Sequence, residues 1–262
     1  MSHSTPKSQL PTPKSVLLFL VLGGWVLGVG SLTAQRQGGA PAARTAAPVD
    51  LTGTWVSLVT EDWRWRMMTP KKGDYSTVQA VMTAEARKVA DSWDPARDTA
   101  AGEQCRAYGA GAIMRMPGRV RISWENDTTL EVETEAGTQT RLFRFQAAVS
   151  DAPSWQGTSA ATWLTVGGGR RGGGAGARGG SLRVVTTNLR PGYLRKNGVP
   201  YGANARVTEH FTRLDEANGD AYLVVTTLIE DPQYLTTRYQ VSSHFKKVAD
   251  GSAWNPTPCT AS

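Results

Sequence analysis

The chain has 262 residues and a formal net charge of +7, from 29 Lys and Arg against 22 Asp and Glu. This length suits one large all-β domain, since barrels and sandwiches of about 200 to 250 residues often fold as one unit. The charge bears on solubility and nonspecific attraction, and it carries no information about the fold. Neither cysteine has a Cys or His at metal-ligand spacing, so no zinc site or other metal site is predicted.

The N-terminal segment predicts export. Within residues 1–34, Lys7 and Lys14 precede an apolar run that ends in small residues at Ala34, which is the pattern of a signal peptide. Cleavage after Ala34 removes two of the 29 basic residues and leaves 27 against 22 acidic ones, a net charge of +5. An uncleaved N-terminal anchor is the alternative, because the apolar run extends over about 17 residues. We expect a periplasmic or secreted protein with no membrane span after cleavage.

Residues 35–48 are rich in Ala, Gly and Pro and have no apolar period, which predicts a flexible linker. A single folded domain is then expected over 49–262. An exported protein meets oxidising conditions, so Cys105 and Cys259 are predicted to form a disulfide that ties the C-terminal tail to the middle of the chain. Two unpaired buried thiols are the alternative, because the sequence does not give the distance between the two Cα atoms.

The first part of the domain predicts one strand and one helix. The strand is expected at about 54–60, and a long loop with Pro and Gly turn residues follows over 67–82. Thr83 can cap a helix with one apolar side, and Asp94-Pro95 is expected to end it.

The next part of the domain predicts an antiparallel sheet. Apolar and polar residues alternate strongly from Arg119 to Phe145, which indicates a meander of three strands. Further strands are expected over 157–166, 182–187, 206–213, 222–229 and 239–248. About 8–10 strands with one short helix predict an all-β, antiparallel closed barrel, which is preferred over a sandwich because closure leaves no edge strands to protect.

A glycine-rich segment interrupts the strands at 167–180, where nine Gly and three Arg predict a mobile loop. It superficially resembles the RGG segments of RNA-binding proteins, but it lacks aromatic residues on which bases could stack. It also lacks the spacing of a phosphate-binding loop. No nucleic-acid partner is therefore predicted.

The first predicted strand carries Gly53-Thr54-Trp55, which resembles the Gly-x-Trp signature of lipocalins and other calycins. This resemblance covers the first strand, and it implies a barrel that holds a small apolar ligand. Parts of exported bacterial proteins resemble four blocks of this chain, DLTGTW, EDWRWRM, YLRKNGVPY and HFKK. This resemblance implies export but indicates no activity.

Aromatic and charged residues concentrate in the stretch 50–66, DLTGTWVSLVTEDWRWR. If this stretch is extended, its last residues alternate between indole and guanidinium groups on opposite faces. The indoles then either pack into the core or form the aromatic floor of a ligand cavity with charged residues at its rim. The predicted ligand-binding residues are Trp55, Trp63, Trp65, Arg64, Arg66, Trp124 and Phe211.

Glu209 is the leading candidate for acid–base chemistry. On its strand, a period of two puts Glu209 on the same face as Val207 and Phe211, and His210 on the opposite face. If the apolar face is the interior, this carboxylate needs a partner or has a raised pKa. Glu209 is therefore predicted to be either a general acid or base, or half of an inward ion pair with an arginine.

Asp62, Tyr193 and Tyr201 complete the candidate catalytic set. The two tyrosines lie on the connection 188–201, where functional groups are overrepresented, and a tyrosine hydroxyl there could donate to a developing oxyanion. No nucleophile elbow, HExxH or other named catalytic motif occurs in the chain.

Three functions are open from the sequence. The first is an exported lipocalin-like protein that binds a small, partly apolar ligand. The second is an acid–base isomerase, hydratase or hydrolase on the same barrel. The third is a structural envelope protein whose barrel is filled by its own side chains. A small-molecule partner and no cofactor are predicted, and neither the ligand nor the oligomeric state follows from the sequence.

Overall fold

Nine strands close into a barrel, as the alternating sequence pattern predicts. The computed structural model describes residues 42–146, 152–165 and 179–262. The predicted signal peptide, the first part of the predicted linker and residues 167–178 of the predicted glycine-rich loop lie outside these ranges.

The described strands are β1 (Gly53–Leu58), β2 (Arg119–Asn126), β3 (Thr129–Thr134), β4 (Gln139–Arg144), β5 (Thr158–Thr165), β6 (Gly180–Thr187), β7 (Gly192–Tyr193), β8 (Pro200–Tyr201), β9 (Arg206–Asp215), β10 (Ala221–Glu230) and β11 (Tyr239–Val248). The barrel has the order β1-β11-β10-β9-β6-β5-β4-β3-β2, and β2 pairs again with β1. The short strands β7 and β8 form a separate two-stranded sheet. Mostly antiparallel pairing confirms the predicted fold class.

One strand pair departs from the antiparallel expectation. Strands β4 and β5 are parallel, with Phe143 opposite Ser159. Parallel neighbours cannot be joined by a tight hairpin turn, unlike the antiparallel neighbours β2 and β3. The alternation of residues within each strand contains no information about this parallel pairing.

The helices are α1 (Trp63–Arg66), α2 (Ala84–Asp91) and α3 (Pro95–Ala100), with 3-10 turns at Ser76–Val81, Gln104–Tyr108 and Ile113–Arg115. The expectation of one helix was too low. Helix α2 is the predicted one, and the Thr83 hydroxyl accepts a hydrogen bond from the Ala86 N–H at 3.1 Å. Asp94-Pro95 begins α3 instead of only ending α2, because Asp94 caps the N–H of Ala96 and proline suits the first helical position. In the described part of the chain, no helix combines the length and the apolar character that a membrane crossing needs.

The barrel interior is filled by inward-pointing aromatic and aliphatic side chains. Trp55, Phe143, Phe211 and Phe245 are each fully buried. The rings of Phe143 and Phe211 pack edge to face, with their centroids 5.3 Å apart. An interior packed in this way gives the strands one shared hydrophobic core.

The helices and long connections pack against one end of the barrel, which we call the closed end. Val207 at the start of β9, Ile229 at the end of β10 and Tyr239 at the start of β11 face this end. They form a second apolar cluster with residues of the connections, including Tyr75 and Tyr201. The residues between β1 and β2, and those between β6 and β9, are positioned by this cluster.

The predicted disulfide between Cys105 and Cys259 is present, with the two Cα atoms 5.1 Å apart and 154 positions separating them in the chain. It holds the C-terminal tail against the 3-10 turn at Gln104–Tyr108. The tail is also hydrogen bonded to Glu135, which accepts from the backbone N–H groups of Asn255 and Thr257.

Removing this disulfide should destabilise the barrel. Closing so long a loop restricts the unfolded chain, so the variant Cys105→Ser/Cys259→Ser should lose about 2–5 kcal/mol of unfolding free energy. Urea denaturation followed by circular dichroism measures the change. A reducing agent should destabilise the native protein and leave the double variant unchanged. A loss below about 1 kcal/mol would show that the tail is held by its hydrogen bonds alone.

Candidate functional site

The aromatic residues predicted to line one ligand cavity do so only in part: Trp124 packs against the same core as Trp55 and Phe211, whereas Trp63 and Trp65 lie outside it. Trp55 and Phe211 are part of the filled barrel core. Trp124 is half-buried and stacks on Phe145, with the ring centroids 5.7 Å apart. Trp63 and Trp65 lie beyond the end of β1, so they do not contribute to the lumen.

The stretch around Trp63 is helical, which corrects its interpretation as an extended strand. Strand β1 ends at Leu58, and Asp62 adopts a left-handed backbone conformation, with φ of 50°, that starts the single turn α1. Within this turn Trp63 and Arg64 face solvent, whereas Arg66 is buried. The apparent period of two between indole and guanidinium groups therefore does not place the indoles on one face.

Glu209 points into the barrel, and its side chain is fully buried. Arg141 on β4 donates to both carboxylate oxygens of Glu209, at 3.0 and 2.6 Å, and to the Thr186 hydroxyl at 3.2 Å. This is the bidentate geometry of a strong guanidinium–carboxylate pair. The arrangement is the inward ion pair that the sequence allows as the alternative to acid–base chemistry.

Tyr193 and Tyr201 are buried at separate positions near the closed end. The Tyr193 hydroxyl donates to Asp98 at 3.3 Å, and burial, only partly opposed by the charge of Arg106, raises the pKa of Tyr193. The Tyr201 hydroxyl has no hydrogen-bond partner among the described residues, and burial raises its pKa as well. Within the described chain, no hydrogen bond of either tyrosine reaches Glu209 or Asp62.

A different set of charged residues converges at the closed end. Arg66, Arg115 and Arg195, which we call the arginine cluster, have exposed fractions of 6, 6 and 4 per cent. They come from three distant parts of the chain: the end of α1, the 3-10 turn at Ile113–Arg115, and the connection between β7 and β8. The closed end therefore buries three guanidinium groups together.

Asp62 is the carboxylate at the centre of the arginine cluster. It accepts from Arg115 at 3.0 Å and from Arg195 at 3.1 Å. Burial alone would raise the pKa of Asp62, but Arg195 and Arg115 outweigh this effect and hold the pKa below its usual value. Arg195 also donates to the Tyr239 hydroxyl at 2.6 Å. Asp62 is therefore ionised and shared between two arginines.

Glu61 supplies the second carboxylate of the region. It forms an ion pair with Arg66, and His244 lies 3.2 Å from its other oxygen. Arg66 in addition donates to the backbone oxygen of Arg115 at 2.9 Å. The arginine cluster thus sets three guanidinium charges against two carboxylates, which leaves one positive charge unmatched.

The unmatched charge is accompanied by unused hydrogen-bond donors. Nη2 of Arg66 and both Nε and Nη1 of Arg195 are buried and have no partner among the described residues. Burial, reinforced by the charge of Arg195, lowers the pKa of Arg115 to about 10. Buried donors without partners cost free energy, so these nitrogens favour an acceptor at this site.

A small cavity of about 20 Å³ adjoins these groups. That volume admits one water-sized group, such as a single anionic oxygen or a monatomic anion. Its walls combine cationic and apolar side chains, namely Arg66, Arg115, Arg195 and Lys196 with Trp65, Ala112, Met116 and Leu194.

The sequence predictions contain part of this site. Asp62, Trp65 and Arg66 were predicted, and all three lie at the arginine cluster or its cavity. Arg64 was also predicted, but its side chain is 67 per cent exposed and lies beside Asp74. Arg115 and Arg195 were not predicted. Arg115 stands between Met114 and Met116 in an apolar run, and a charge in such a run was the available signal.

The fold defines the chain as a closed nine-stranded β-barrel, a form compatible with a lipocalin-like barrel. The chain matches no family model, no curated protein sequence and no solved structure. Within the described ranges, no three His, Cys, Asp or Glu side chains are grouped in a way that could hold a metal ion.

The structural role of Glu209 can be tested by stability. The variant Glu209→Gln keeps the side-chain shape and leaves Arg141 charged and buried, so it should lose about 3–5 kcal/mol of unfolding free energy. Urea denaturation measures this loss. The control Arg141→Met/Glu209→Leu removes both charges and should recover most of the stability. If Glu209→Gln unfolds like the native protein, the ion pair does not stabilise the barrel.

Proposed function

We propose that the protein is an exported, lipocalin-like binding protein whose ligand is small, partly apolar and anionic. The arginine cluster holds the anionic group of the ligand. The observation that carries the proposal is the excess of buried guanidinium charge at Asp62, together with three buried donor nitrogens that have no partner among the described residues.

An anionic group would both accept hydrogen bonds from the arginine cluster and balance its excess charge. A guanidinium presents several N–H donors in a fixed plane that matches the oxygens of a carboxylate or phosphate. Each unsatisfied buried donor costs about 1–3 kcal/mol, and a bound oxygen would remove this cost. The anion would also balance the third positive charge. The cavity of about 20 Å³ is too small to enclose a bulky anionic group, so it favours a carboxylate that inserts one oxygen.

The surroundings of the cavity favour a ligand with an apolar part. Trp65, Met116 and Leu194 line the cavity beside the charged groups. On and immediately after α1, Trp63, Met67 and Met68 are 63, 59 and 66 per cent exposed. Large apolar side chains exposed together often mark a binding surface. A carboxylate at the arginine cluster could therefore extend an apolar tail toward this surface.

Export is supported by the predicted signal peptide and by the disulfide between Cys105 and Cys259, since disulfides persist in oxidising compartments. The lipocalin-like character is supported by the closed barrel and by Gly53-Thr54-Trp55 at the start of β1. The proposed site differs from the one that the resemblance implies, because the barrel core is filled and the ligand lies at the closed end.

Removing Arg115 should separate binding from stability. In Arg115→Met, Asp62 keeps Arg195 as its partner, and the remaining guanidinium and carboxylate charges are equal in number. We expect the affinity for octanoate to fall at least about tenfold, because a hydrogen bond to a charged group contributes about 1.5–3 kcal/mol. Isothermal titration calorimetry at pH 7.5 measures the affinity.

Arg64→Gln is the matched control, because it removes one exposed positive charge from the same region. Arg64→Gln should bind octanoate with the affinity of the native protein. The neutral octanamide should bind to neither of these two proteins. The unfolding free energy of Arg115→Met should change by less than about 1 kcal/mol, whereas a purely structural cluster would lose about 3–5 kcal/mol. Equal affinity for octanoate and octanamide would overturn the proposal.

The pH dependence of binding gives an independent test. Arg115 has a pKa of about 10, lowered from 12.5 chiefly by burial. Its charged form binds the anion, so affinity is complete below this pKa and decreases as the pH rises through about 10. Titrations with octanoate from pH 7 to 11 should show this decrease. The decrease should be absent in Arg115→Met, and a decrease of the same size in that variant would assign it to other groups.

A further inference from the structure

A second basic region lies on the outer face of the barrel and shares no residue with the arginine cluster or its cavity. It is a groove of about 380 Å³ formed by strands β6, β9 and β10 and the residue before β11. We call it the outer groove, and its polar lining consists of Arg183, Arg206, Thr208, His210, Glu230 and Arg238.

The strand register brings these residues together. Along β9, Val207 and Glu209 are buried in the barrel, so Arg206, Thr208 and His210 lie on its outer face. Arg183 on β6 is directly opposite His210. Arg206 is directly opposite Glu230 on β10. The groove is thus built on paired strands, which hold the positions of its side chains.

The charges of the outer groove are poorly matched within the described structure. No ion pair or hydrogen bond of the Arg183, Arg206 or Arg238 side chain is formed with another described residue. Three guanidinium groups therefore face one carboxylate, Glu230, which leaves two positive charges unmatched. Elsewhere on the outer face, Arg121 forms an ion pair with Glu133 across β2 and β3 at 3.2 Å.

The placement of Arg183 opposite His210 does not stabilise the sheet. Like charges directly opposite one another on neighbouring strands are unfavourable. Burial, together with the charge of Arg183, accordingly lowers the pKa of His210. His210 is therefore favoured as the neutral imidazole, which can form a hydrogen bond with an oxygen bound beside Arg183.

We infer that the outer groove binds the phosphoryl group of a phosphate ester. A phosphate monoester carries nearly two negative charges near neutral pH, which equals the excess positive charge of the groove. Arginines match the geometry of phosphate oxygens, and the Thr208 hydroxyl and His210 ring add neutral hydrogen-bonding groups. The volume of about 380 Å³ admits a phosphoryl group with part of the molecule that carries it, unlike the cavity at the arginine cluster.

The test measures binding of glycerol 3-phosphate to the full chain by calorimetry at low ionic strength. The double variant Arg183→Gln/Arg206→Gln should lose at least tenfold in affinity, and Arg238→Gln alone should lose several-fold. The control Arg87→Gln/Arg97→Gln removes the same charge from exposed helical positions and should bind within twofold of the native protein. Equal losses in the two double variants would show nonspecific attraction and overturn the inference.

Two further arms identify the source of the phosphate and separate this inference from the proposed function. If the natural source is a lipid, vesicles of phosphatidylcholine with phosphatidic acid should bind more tightly than glycerol 3-phosphate. If it is a soluble ester, they should bind no more tightly. In either case Arg183→Gln/Arg206→Gln should lose the binding. Arg115→Met should bind glycerol 3-phosphate normally. Loss of binding in Arg115→Met with retention in Arg183→Gln/Arg206→Gln would assign the phosphate to the arginine cluster and overturn the inference.

Discussion

The cost of removing a guanidinium group from water governs the interior of this protein. Such a charge is tolerated only where a carboxylate and further acceptors replace the lost water. Inside the barrel the charge of Arg141 is balanced, because Glu209 accepts from two of its nitrogens and Thr186 accepts from one of them, while its Nε has no partner among the described residues. At the closed end the charges are balanced only in part. Asp62 and Glu61 compensate two of the three charges of the arginine cluster, and this difference is the basis of the proposed anion site.

The partial compensation depends on how the closed end is built. Arg66, Arg115 and Arg195 are held by backbone segments that have little regular structure of their own. These segments are fixed by the apolar cluster that includes Tyr75, Val207 and Tyr239, and by the disulfide at Cys105. Because residues of these segments are part of this cluster, the guanidinium groups cannot move apart without disrupting its packing. The repulsion between Arg115 and Arg195 is therefore retained in the fold, where it contributes to the lowered pKa of Arg115.

Local patterns in the sequence predict the strands, the inward position of Glu209 and the pairing of the only two cysteines, because each depends on alternation or composition. The partner of Glu209 could not be predicted, since Arg141 lies 68 positions away and meets it only when β4 and β9 enclose the same lumen. The helical turn at Trp63 was missed because four residues with alternating character fit both a strand and a helix. Arg115 and Arg195 were not predicted because they meet Arg66 only in the folded chain, and Arg195, seen alone, looks like an ordinary solvated charge on a connection.

The division between the core and the proposed sites follows from packing. Aromatic residues fill the barrel so completely that Trp55, Phe143, Phe211 and Phe245 have no exposed surface, which makes the lumen a rigid support. Charged groups that need an outside partner then have two places to lie: on connections across an end, as with Arg195, or on the outer sheet face, as with Arg183. These two places differ in the kind of anion that each could bind. If both proposals hold, the buried site of about 20 Å³ would select the tip of one anion, whereas the open groove of about 380 Å³ would select by total charge and tolerate varied attached groups.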